Sequence, residues 1–329
     1  MYKRQDLPRA LRIVAAAGAL LVIVLARHAA GVPTLALMLA PAVIVPLGAA
    51  LVLDGDDHAP RLLRHAVLLA VPCGAVSGVL GWLAPPGAPL AIAAALVHGA
   101  GAAALGALGL ARLSGRRAAR FGPVVEIPFD VGLLLLPVGA VWLVAARAGV
   151  PLAGFEEPVV TFTAAHFHYA GFAAPVVLGG VGRLLRPPPG TRLGRLHLVA
   201  ATAVCGGVPL TAIGIATNHT VESLAAIALA AGMLAASLLL LASARASWPR
   251  PAPAILFSIS GATLLLTMTL AAIFATTSSA GRGSSLHTGL VPLQTMIDWH
   301  GGANAFGFAL AGLLALTAER LATRPPPPP

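Results

Sequence analysis

Charged side chains are scarce: 10% of the 329 residues are Asp, Glu, Lys or Arg, and lysine occurs once, as Lys3. A soluble domain carries about 25% charged residues and about 45–50% apolar ones. Here 58% are hydrophobic, too many for a water-facing surface. Short amphipathic stripes with a polar back, the mark of a soluble helical domain, are missing as well. Cysteine is nearly absent. Cys73 and Cys205 stand alone in apolar blocks, which excludes a disulfide framework and reads as small buried hydrophobes. The formal net charge of +10 does not indicate nucleic acid. The basic residues sit at the ends of apolar blocks, and no zinc-finger spacing, basic zipper or aromatic RNA-binding box is present.

What remains is long apolar blocks. Each approaches the ~20 residues that a bilayer core requires. They predict an all-α, polytopic transmembrane helix bundle of about ten helices, spanning 11–27, 32–53, 62–85, 88–111, 130–149, 158–182, 197–217, 221–243, 252–276 and 297–319. The first block follows a basic start (Lys3, Arg4, Arg9, Arg12) and lacks a convincing cleavage site, so it reads as an anchor. Placing both termini in the cytoplasm puts 18 of the 21 Lys+Arg on the inside, leaving Arg27, Arg147 and Arg282 outside. Alternation of this kind supports both orientation and helix count. The expected organisation is a four-helix membrane segment (1–111), a basic cytoplasmic loop (112–129), a six-helix membrane segment carrying the histidine motifs (130–319) and a Pro-rich tail (320–329).

Polar side chains inside such blocks are costly and therefore functional candidates. This topology places most of them in the outer half. His166, His168 and Tyr169 lie in the sixth span, and Asp298, His300 and Asn304 at the start of the tenth. His98 lies in the fourth, and Glu156, Glu157, Asn218, His219, Glu222 and His287 in outer loops. Glu126 and Asp130 are isolated on the cytoplasmic side. His65 and His197 read as interfacial helix-end residues, His28 and His58 as loop residues. Asn218-His219-Thr220 fits a glycosylation sequon.

Spacing restricts the chemistry. At 3.6 residues per turn, His166 and His168 point about 200° apart. From a regular helix they cannot chelate one metal; each faces a different partner, or the helix is broken near Gly171 and Pro175. A site joining one of them to His300 requires the sixth and tenth helices to be neighbours.

The string Thr161-Phe162-Thr163-Ala164-Ala165-His166-Phe167-His168-Tyr169-Ala170-Gly171-Phe172, with Asp298-Trp299-His300-Gly301 and Asn304, resembles the signatures of the YndJ-like family of bacterial integral membrane proteins. The resemblance is strongest over about 126–310. It implies a multi-pass protein of the bacterial cytoplasmic membrane, and His166, His168, Tyr169, His300 and Asn304 as functional positions. His166-Phe167-His168-Tyr169 is also locally similar to the haem-ligating helix of the haem–copper oxidases. The copper-ligand motif His-Pro-Glu-Val-Tyr is absent, which excludes an oxidase.

Three functions fit the residues. One is a small-solute or proton-coupled transporter, with lipid and an unidentified solute as its partners. Another is a membrane-embedded enzyme holding a metal ion or haem on His166, His168 or His300, with Glu156, Glu157 and Asp298 nearby. The third is a scaffold in which the histidines bond helices together.

Overall fold

The computed structural model describes residues 6–29, 31–54, 60–118, 124–277 and 292–323. Lys3, Arg4, His58, Arg120, Arg282, His287, Arg324 and the run Pro325 to Pro329 lie outside the described residues.

Ten helices account for nearly all of what is described: α1 Asp6–Leu25, α2 Val32–Leu53, α3 Arg61–Leu83, α4 Pro89–Ala118, α5 Ile127–Ala148, α6 159–185, α7 Arg192–Thr217, α8 His219–Ala246, α9 Pro251–Thr277 and α10 293–322. Nine are long and apolar enough to cross a membrane. The remaining helix, α6, is as long but carries the Thr and His residues that dilute its apolarity.

Consecutive helices pack as antiparallel neighbours from α3 to α6 and from α7 to α10. Two helices run through the middle. α2 is apolar on every face and 94% buried, in contact with α1, α3, α6 and α10. α6 is buried from Gly171 to Gly182 and touches α2, α5, α7, α8 and α10. A helix apolar all round has no side to offer water; here the other helices screen these two even from lipid.

Glycines allow the close approaches. A Cβ at Gly78 would stand 2.6 Å from Pro41 Cγ, and one at Gly139 would stand 3.0 Å from His168 Nδ1. Four stretches widen to π-helix: Ala40–Ile44 in α2, Phe167–Ala173 in α6, and Met296–Gly301 and Asn304–Leu310 in α10. Pro41 lies inside the first and Pro46 just after it, and Gly171 lies inside the second and Pro175 just after it. Such residues loosen the i→i−4 ladder by removing a donor or a side chain.

Several sequence expectations change. The basic segment expected as a loop from 112 is helical to Ala118, because Arg112 and Arg116 find acidic partners. Arg112 Nε donates to Asp130 Oδ1 at 2.6 Å and Arg116 Nε to Asp130 Oδ2 at 2.5 Å. Both also reach Glu126, whose carboxylate takes two further bonds from Arg183 at 2.6 and 2.8 Å. Arg147, counted among the basic residues of the outside, lies in the last turn of α5. It is buried, donates to the carbonyls of Gly81 and Ala84 at the end of α3, and lies 4.2 Å over the Trp82 ring. His197 is buried against the Leu178 carbonyl rather than interfacial. Cys73 sits on the outer surface of α3. Asn218 of the sequon caps α8, its Oδ1 accepting from Thr220 and Val221 N–H.

Candidate functional site

The first turns of α2, α6 and α10, together with α7, α8 and α9, enclose a cavity of 370 Å³. His166 and Tyr169 of α6 reach it, as do His300 and Asn304 of α10. The sixth and tenth helices are thus neighbours, as a joint site requires.

The imidazole of His300 is held by its Nδ1–H, which donates to the Thr267 carbonyl at 3.0 Å. A carbonyl only accepts, so the neutral ring keeps Nε2 as an acceptor. The Thr267 hydroxyl donates to Asn304 Oδ1 at 2.8 Å, which turns the amide NH₂ to other partners. Tyr169 donates its hydroxyl to the Ala36 carbonyl at 2.7 Å, pinning α6 to α2 at the cavity wall. Thr211 Oγ1 is buried in the same wall without a hydrogen-bond partner. His166 is exposed, its ring reaching the cavity. The rest of the lining is apolar and includes Met233, Met268 and Met296, three of the chain's five methionines. Methionine suits a wall that must adapt to a guest.

A second, shallower depression shares Val32, Pro33, Phe162 and Ile297 with the cavity and adds Glu157, Thr161, Gln294 and Asp298. It forms a vestibule. Glu157 Oε2 accepts from the Thr161 N–H at 3.3 Å, and Asp298 Oδ2 from Gln294 at 2.9 Å. Glu156 is exposed beside them.

His168 points elsewhere. Its Nδ1–H donates to the Ala164 carbonyl at 2.7 Å, so its neutral Nε2 accepts the proton of His98 Nε2 across 3.0 Å. The rings stack 5.2 Å apart between α6 and α4, with both residues buried. The two histidines of the motif therefore serve different partners. Hydrophobicity patterns held no signal linking His98 to His168, which are 70 positions apart. The three histidines considered for a metal do not converge, and no group of three or more His, Cys, Asp or Glu among the described residues is placed to hold one. Glu126 and Asp130 lie at the opposite end of the bundle, bound up with arginines.

The model of the YndJ-like protein family matches residues 35–308. A membrane protein of Bacillus subtilis (strain 168) whose function is uncharacterised, YndJ, is 28% identical over 189 residues, which is 57% of this chain and 32% of that protein. The chain thus matches about a third of the length of this curated relative. No solved structure matches it.

Proposed function

This chain belongs to the YndJ-like family, and from that premise we propose that it is a transporter of small solutes, standing with its cavity open at the histidine end and closed at the arginine end. In this reading both termini are cytoplasmic, the membrane is the bacterial inner one, and the cavity opens outward. The distribution of basic residues supports that orientation.

One observation carries the proposal. Every π-helical stretch among the described residues lies in α2, α6 or α10, and these three helices wall the cavity. π-Bulges occur frequently at functional sites, and broken membrane helices recur where transporters bind solute. A volume of 370 Å³ falls within the ~300–1,000 Å³ of small-molecule sites. Passage further inward is blocked. From Gly171 to Gly182, α6 is buried and apolar, and the cluster of Glu126, Asp130, Arg112, Arg116 and Arg183 ties its far end to α2, α4 and α5. That cluster is the proposed inner gate.

The test is alternating access. In a C73A/C205A background, Ala170→Cys should react with an impermeant maleimide applied from outside. Ala174→Cys, one turn further in, should be protected from both sides but react from the cytoplasmic side once Glu126→Gln weakens the gate. Permanent protection of Ala174→Cys would reduce the protein to a binding protein. The enzyme reading rests on His166 and His300 facing one cavity, and the scaffold reading accounts for the His98–His168 pair alone.

A further inference from the structure

The two ends of the bundle treat their carboxylates differently. At the arginine end Asp54, Glu126, Asp130 and Glu319 each lie against at least one guanidinium. At the vestibule, Glu157 and Asp298 meet only neutral donors among the described residues, a backbone N–H and a glutamine amide. No Lys or Arg lines the vestibule or the cavity among the described residues. Arg27, at the same end, lies past α1 and lines neither. Two carboxylates with no guanidinium against them among the described residues, at the rim of a low-dielectric hollow, concentrate cations and repel anions.

The cavity behind them fits the same guest. Its wall holds no charged side chain. It offers the acceptor Nε2 of His300 and three aromatic side chains, Phe162, Tyr169 and Phe308, among methionines. Ring faces attract cations, most strongly where water is excluded, and the apolar remainder suits a hydrocarbon body.

We propose that the solute is a small organic monocation with an apolar body, an aryl- or alkylammonium, whose body fills the cavity and whose charge faces Glu157 and Asp298. This rests on the reading of the cavity as a solute site.

The probes are benzyltrimethylammonium, its uncharged isostere neopentylbenzene and the anion 3-phenylpropionate, titrated into the purified full-length chain by calorimetry. The ammonium should bind about tenfold more tightly than the isostere, and the anion should not bind. A Glu157→Gln/Asp298→Asn variant should lose roughly threefold or more of its ammonium affinity and keep its affinity for the isostere. The ammonium difference should also shrink in high salt, which a purely structural effect of the substitutions would not produce. If the isostere or the anion binds as tightly as the ammonium, and His300→Ala weakens it, the solute class is wrong and the cavity reading stands. If none of the three binds while the variants remain folded, both are overturned.

Discussion

The arginine end and the histidine end use their polar side chains in opposite ways. At the arginine end donors and acceptors are spent on each other. Asp130 is fully buried and gripped by two guanidiniums, and Arg183 divides its hydrogens between Glu126 and the carbonyls of Leu51 and Asp54. At the histidine end the ring of His300 and the amide of Asn304 are each fixed by one bond and retain capacity for another. The first pattern holds helices together, and the second holds side chains ready for a guest.

Substitutions separate the two. The largest effect should come from Asp130→Ala. It leaves Arg112 and Arg116 with Glu126 as their remaining acidic partner among the described residues, and breaking a buried ion pair from one side costs about 3–5 kcal/mol. The chain should unfold at markedly lower temperature in detergent, followed by circular dichroism. His98→Leu should come next. It strands His168 Nε2 in an apolar interior, a loss of about 1–2 kcal/mol for a hydrogen bond between membrane helices, with solute affinity retained. Gly139→Ala should give a comparable loss, because the added methyl meets His168 Nδ1 and Phe167 Cβ; a neutral result would show that the His98–His168 pair can shift. His300→Ala should move the melting point least and affinity most, weakening binding by about tenfold. A His300→Ala protein that melts as early as Asp130→Ala would erase the contrast between the ends.

Helix number and order were legible because lipid selects apolar blocks of fixed length, and the blocks survive without alignment. The ends were less legible. Arg112 and Arg116 look like loop residues until Asp130 is known to lie opposite them. His197 looks interfacial by position alone, since its partner, the Leu178 carbonyl, belongs to another helix. For the site, the 200° argument separated His166 from His168 correctly, because helix geometry is local. It could not name His98, nor choose which histidine would face His300. Those facts depend on which helices touch, and in an alanine- and glycine-rich chain many faces are equally smooth. The vestibule was visible only as scattered acids.

One side chain bears on how the protein is made. The carbonyls that close α2 are satisfied by Arg183, 132 residues later in the chain from Leu51. While the ribosome is still synthesising the intervening helices, α2 has its terminal carbonyls open and its all-apolar surface unscreened. Its final seat at the centre must be left vacant, or reopened, until α6 emerges. Nascent chains arrested before Arg183 should therefore be far more sensitive to membrane proteases than chains arrested just beyond it, a dependence on order of synthesis imposed by a single guanidinium.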